Sequence, residues 1–115
     1  MLTSRGDVVL VPFPDSNRVT YKRRPASVVR ADGLNTGISQ MIIALITSTL
    51  SRAGHPSRWL VTKSSSQGRG MGLRTDSVVM TDNLVTIRDS QIERIVGRCP
   101  DMSPVDAALR HTLNL

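Results

Sequence analysis

The run Val8-Val9-Leu10-Val11 is uninterrupted by polar residues and ends at Pro12-Phe13-Pro14. That pattern predicts a short first strand buried on both faces and stopped by the two prolines. The polar, aperiodic stretch Asp15 to Lys22 reads as an exposed loop with a basic far end, leading to a second strand, Ala26 to Arg30. Turn signals at Asp32-Gly33 and Asn35-Thr36-Gly37 precede Met41 to Thr49, a third strand rich in Ile and Thr. Its alternation puts Ile43, Leu45, Thr47 and Thr49 on one face, with Ile42, Ala44, Ile46 and Ser48 on the other. Gly54-His55-Pro56 breaks the chain before a short fourth strand, Trp59 to Thr62. Ser64 to Gly72, with three serines and three glycines, reads as a binding loop.

Val78 to Met80 and Val85 to Ile87 are two further short strands flanking Thr81-Asp82-Asn83. Ile92, Ile95 and Val96 predict a brief helix or a helix-to-strand transition, stopped by Gly97 and Pro100. The last segment is the clearest helix. Ser103 suits the N-cap, Pro104 the first helical position and Asp106 a shortened capping box. Val105, Ala108, Leu109 and Thr112 form a stripe that would lie on a sheet. Many short strands and one terminal helix predict a mainly β fold with a C-terminal helix, built on a small, strongly bent antiparallel sheet or partial barrel.

With 115 residues, 39% hydrophobic and 21% charged, the chain suits one globular domain, residues 1–115. The single cysteine, Cys99, excludes an internal disulfide, and two separated histidines leave little for a metal cluster, so neither metal nor cofactor is expected. No membrane segment is expected either, and the reading is cytoplasmic. The net charge is +6, unevenly spread. Residues 1–74 hold eleven cationic side chains against three acidic ones, while residues 75–115 hold four against six. Thirteen of the fifteen cations are arginine, whose planar fork grips phosphate bidentately. A polyanion or an acidic protein is the partner this implies.

Phe13, Tyr21 and Trp59 are too few for the aromatic platforms that stack bases. No P-loop, GxSxG elbow or HExxH pair is present, and Gly68-Arg69-Gly70-Met71-Gly72 lacks the strand before and helix after that a nucleotide loop requires. What remains is Lys22-Arg23-Arg24-Pro25, where the proline biases Arg24 toward an extended backbone. If the second and third strands adjoin, this guanidinium and a strand hydroxyl could approach one phosphate. The bland alternative is a solvated charge run. His55 and His111, a possible acid/base pair by side-chain pKa, fall in a turn and in the terminal helix and read as structural or exposed.

Over nearly its whole length the chain resembles the MazF/PemK family of toxin endoribonucleases. The resemblance is carried in order by Arg5-Gly6-Asp7-Val8-Val9-Leu10-Val11-Pro12-Phe13-Pro14, Lys22-Arg23-Arg24-Pro25-Ala26, Ile46-Thr47-Ser48, Leu73-Arg74-Thr75-Asp76-Ser77-Val78-Val79 and Leu84-Val85-Thr86-Ile87. It implies an SH3-like barrel, a homodimer, and metal-independent cleavage of single-stranded RNA through the ribose 2′-OH to a 2′,3′-cyclic phosphate and a 5′-OH end. The family's catalytic positions fall on Arg24 and Thr47. Arginine stays protonated at neutral pH, so charge stabilisation is its first role and proton donation its second.

Arg18, Lys22, Arg23, Ser48, Arg69, Arg74 and Asn83 are the expected RNA-binding residues, in a groove between the Asp15 to Lys22 and Ser64 to Gly72 loops. An antitoxin with an acidic C-terminal segment would compete for that groove. Asp76 and Ser77 also match and suit a turn. The sequence departs from many members in the Asp15 to Tyr21 loop, which lacks a Gly-Ser-Glu-Gln type stretch, and at Asn83, where glutamine is common. The rival reading keeps the fold and removes the nuclease: a binding toxin of the gyrase-poisoning kind, or a regulatory module.

Overall fold

The structure is a computed structural model describing every residue except Met1, Ser16 and Arg18. Asp7–Pro14 forms β1, in which Val8 and Val9 are both fully buried although they point to opposite faces. A strand shows this pattern only where both faces of its sheet are covered. Val9, Val11 and Phe13 join Ala26, Val28, Ile43 and Leu45 in one apolar cluster, and Val8 joins Ala44, Ile46, Val79 and Val105 in a second.

The remaining elements are β2 (Tyr21–Val28), β3 (Gln40–Thr47), β4 (Arg58–Val61), α1 (Ser66–Gly70), β5 (Ser77–Arg88), β6 (Arg94–Arg98) and α2 (Ser103–Leu113). The six strands make one curled antiparallel sheet in the order β4-β5-β3-β2-β1-β6. Val105 and Ala108 of α2 are buried and place the second cluster under this helix, with the first on the opposite face.

The predicted mainly β architecture is present, with local corrections. β1 does not stop at Val11. The Leu10 carbonyl accepts from the Glu93 N–H, so alternate residues of β1 direct their backbone away from β2, and Pro12 and Pro14 follow that phase beyond the last β1–β6 pair. Their missing N–H groups therefore break no ladder bond. β2 starts at Tyr21 and ends at Val28, so Lys22, Arg23 and Arg24 lie in a strand and the preceding loop is shorter than expected.

The two short strands predicted at Val78 to Met80 and Val85 to Ile87 are one strand, β5. Opposite β3 the register passes from Leu45↔Met80 to Ala44↔Leu84, leaving Thr81, Asp82 and Asn83 as a bulge. An odd insertion reverses which residues point inward, so Val78 and Met80 share a cluster with Val85 and Ile87. The bulge is anchored. Buried Thr81 donates its N–H and its hydroxyl to the Ser57 carbonyl and shares a 2.8 Å hydrogen bond with the Thr112 hydroxyl of α2.

Ser64 to Gly72 is no open loop, because it contains α1, whose N-cap Ser65 accepts from the Gly68 N–H. Gly97 does not end β6, which runs on to Arg98. Met102, rather than Ser103, is the N-cap of α2, and its side chain makes no capping bond. The Asp101 carboxylate instead accepts from the Ser103 N–H and hydroxyl, while Asp106 pairs with Arg5. No helix among the described residues is long and apolar enough to cross a membrane.

Candidate functional site

Arg24 and Thr47 come together through strand register. β2 and β3 pair Val28↔Ile43, Ser27↔Ala44 and Ala26↔Leu45, and two further steps put Arg24 opposite Thr47 as the strands part. On its other side Arg24 pairs with Val11 of β1, so its backbone is held in a ladder. Pro25, opposite Leu10, has no N–H to offer β3 and marks where the two strands separate. The second and third strands do adjoin, the condition on which the sequence reading brings a guanidinium and a strand hydroxyl toward one phosphate.

Two cavities meet there, of about 600 Å³ and about 1050 Å³, and Arg24 and Thr47 border both. Thr47 is 8% exposed, and its Oγ1 accepts from the Thr49 N–H at 3.2 Å, which leaves the hydroxyl proton free to donate. The Arg24 guanidinium is partly exposed and donates from Nη2 to Asp15 Oδ1 at 3.3 Å. The hydrogen bond from the Thr20 hydroxyl, followed by Arg24 and Lys22, holds the Asp15 carboxyl below its ordinary value. Where the two cavities share their lining, the Arg24 guanidinium and the Thr47 hydroxyl stand with the Asp15 carboxylate, which borders the larger one.

The other predicted residues divide between the cavities. Arg23, Ser48 and Arg74 border the smaller one, and Arg23 is also paired with Glu93 at 2.9 Å. Lys22 and Asn83 border the larger, where Asn83 reaches the rim because the β5 bulge turns it out of the ladder. Arg69 borders neither cavity, and its guanidinium donates to the Ser64 carbonyl beside α1. Arg18 lies outside the described residues.

Arg94 and Arg52 border the smaller and the larger cavity respectively and were missed in the linear reading. Arg94 stands opposite Leu10, itself opposite Pro25, so two pairings bring it beside Arg24 from 70 residues away. Only the sheet order carries that signal. Neither Arg74 nor Arg94 has a carboxylate partner among the described residues.

His55 and His111 do meet, with ring centroids 5.8 Å apart, but neither borders either cavity. The His55 Nδ1 accepts from the Ser57 N–H, a turn-forming role. Among the described residues no three His, Cys, Asp or Glu side chains converge as metal ligands would.

A curled six-stranded sheet with a C-terminal helix and an Arg–Thr rim defines the class, and sequence comparison gives the family. Residues 4–113 match the PemK-like, MazF-like toxins of type II toxin-antitoxin systems, and the chain belongs to that family. No curated protein matches it in sequence. Among solved structures, a mycobacterial endoribonuclease in complex with its cognate antitoxin superposes with a TM-score of 0.75 at 22% identity, over 99% of this chain and 97% of that one. The Mycobacterium tuberculosis toxin MazF-mt6 gives 0.72 at 20% identity, over 95% and 97%. MazF from Deinococcus radiodurans gives 0.71 at 21%, over 100% and 99%. These likenesses show that the fold is shared.

Proposed function

We propose that this toxin is an endoribonuclease that cuts single-stranded RNA at a phosphate held between Arg24 and Thr47. The observation that carries the reading is that Arg24 and Thr47, on adjoining strands, both line the two cavities. Membership of the MazF/PemK family and the fold shared with a protein described as an endoribonuclease support it.

The ribose 2′-OH gives its proton to a solvent water as its oxygen attacks the adjacent phosphorus. The bond to the 5′ oxygen then breaks, giving a 2′,3′-cyclic phosphate and a 5′-OH end once that oxygen takes a proton. Negative charge grows on the non-bridging oxygens during attack, and the Arg24 guanidinium with the Thr47 hydroxyl stabilises it. Arg24 also gives a proton to the leaving oxygen and regains one from solvent. Lys22, Arg23, Ser48, Arg74 and Arg94 hold flanking phosphates, and Asn83 offers an amide to a base. Arg69, turned to Ser64, has no part in this arrangement.

The working unit is a homodimer acting in the cytoplasm, and an antitoxin with an acidic C-terminal segment would block the same arginines. MazE–MazF complexes of D. radiodurans are the structural precedent for a toxin of this fold held by its antitoxin. The direct test incubates the purified protein with single-stranded RNA and EDTA, beside Arg24→Ala. Loss of about 100- to 1000-fold in rate is expected on removing this charge donor. Undiminished cleavage by folded Arg24→Ala, or intact RNA together with trapped DNA–topoisomerase complexes, overturns the reading.

A further inference from the structure

Asp15 is a carboxylate in a cavity otherwise bordered by the cations Lys22, Arg24 and Arg52. It directly follows β1 and borders the larger cavity with Arg24, Lys22 and Thr47. Its carboxylate is divided between two tasks. Oδ1 accepts from Arg24 at 3.3 Å, while Oδ2 accepts from the Thr20 hydroxyl at 2.7 Å.

Thr20 is itself fixed. Its carbonyl accepts from the Asp15 N–H at 2.9 Å, and its own N–H donates to Asn17 Oδ1 at 3.1 Å. The Asn17 amide also donates to the Thr20 hydroxyl oxygen. The side chain of Asp15 is only 17% exposed. Swinging the carboxylate away from Arg24 would break its bonds to both Arg24 and the Thr20 hydroxyl.

We propose that Asp15 is a positioning residue, fixing the plane of the Arg24 guanidinium at the expense of affinity for the anion that Arg24 binds. The proposal rests on the reading of Arg24 as the phosphate-binding cation. A free arginine samples many rotamers, and freezing one before substrate arrives removes that disorder from the reaction step. With Nη2 tied to Asp15, the other guanidinium nitrogens have no protein partner among the described residues and are left for the phosphate. The same negative charge repels a phosphate nearby, so it lowers ground-state binding while raising the rate. Held ionised by Thr20 and Arg24, the carboxylate is a weak proton acceptor, which argues against a general base at this position.

Two variants separate the roles. Asp15→Asn keeps the shape and the Thr20 contact but removes the charge, whereas Thr20→Val keeps the charge and removes its anchor. Single-turnover cleavage and the binding of a 2′-O-methyl oligonucleotide are measured for both, with folding checked by thermal unfolding. For Asp15→Asn the cleavage rate should fall about 10- to 100-fold while binding tightens about threefold to tenfold. For Thr20→Val the rate falls and binding stays within about twofold. Rate and affinity falling together in folded Asp15→Asn mean a structural role, and rising together mean an inhibitory latch; either overturns the proposal.

A third readout needs no cleavage. In nitrogen-15 spectra the Arg24 NH2 groups, assigned by their loss in Arg24→Ala, should rotate slowly in the wild type and average in Asp15→Asn. Averaged signals in the wild type overturn the positioning role. A wild type that cuts no RNA but shows slow Arg24 rotation removes the proposed function and keeps the positioning role.

Discussion

In the proposed reaction Thr47 would act from a largely buried position, since it is 8% exposed, its hydroxyl accepts from the Thr49 N–H and it borders both cavities. A hydroxyl so placed would meet the proposed phosphate where water screens poorly, so the donor itself, more than the bulk of the side chain, should decide the rate. Thr47→Val is nearly isosteric and is expected to lose about 100- to 1000-fold in cleavage rate, while Thr47→Ser stays within about tenfold. Initial rates on one RNA substrate, with near-identical far-ultraviolet spectra, check both. At this scale the site was half visible in the chain. Arg24-Pro25 and Ile46-Thr47-Ser48 identify themselves by neighbouring residues, but Asp15, Arg52 and Arg94 are ordinary charges until pairing brings them to the rim.

Glycines carry the element scale. Those of Ser64 to Gly72 suggest looseness in the linear reading, yet the segment packs hard against β6. A Cβ on Gly97 would lie 2.4 Å from the Met71 carbonyl carbon and oxygen, and one on Gly72 2.4 Å from the Val96 carbonyl oxygen. Both obstacles are backbone and cannot turn aside. Gly72 also has a φ of +73°, which disfavours any L side chain. This close approach joins the segment after β4 to the other edge of the sheet, β6, and so supports the smaller cavity that Met71, Gly72 and Val96 help line. Gly97→Ala should therefore cost about 1 to 3 kcal/mol, read as a lower urea midpoint, and should weaken oligonucleotide binding. The bulge in β5 was hidden for a related reason. A three-residue insertion inverts the alternation, and a one-dimensional pattern records that as two strands.

For the whole molecule, charge and pH decide the outcome. Arg74 and Arg94 face the smaller cavity without carboxylate partners among the described residues, so counterion release should dominate RNA affinity. Binding of a 2′-O-methyl oligonucleotide should weaken linearly in log salt, and Arg74→Ala should make that slope shallower by about 0.7, measured by anisotropy between roughly 50 and 200 mM salt. Asp101, bonded by the Ser103 hydroxyl and N–H, and Asp82, bonded by Arg58, both have carboxyls held below their ordinary 3.8. A depressed folded value means that the folded state binds the proton less readily than the unfolded one. Their stabilisation is complete above the unfolded value of about 3.9 and is lost as pH falls through the folded values. Urea midpoints should therefore hold from pH 7 to about 5 and decline below about 4, with a smaller decline in Asp101→Asn.

The chain alone determined that the fold is mainly β with a closing helix, and which residues mark the family, because both depend on local apolar pattern and short contiguous motifs. Tertiary structure alone decided the length of β5, the turn of α1 and the company Arg24 keeps. Those depend on strand register and on backbone approaching backbone, and neither distance is written in the order of residues. The meeting of Arg24 with Thr47 stands between the two. Each residue was legible in its motif, but only the antiparallel pairing of β2 with β3 brought them to the lining of the same two cavities.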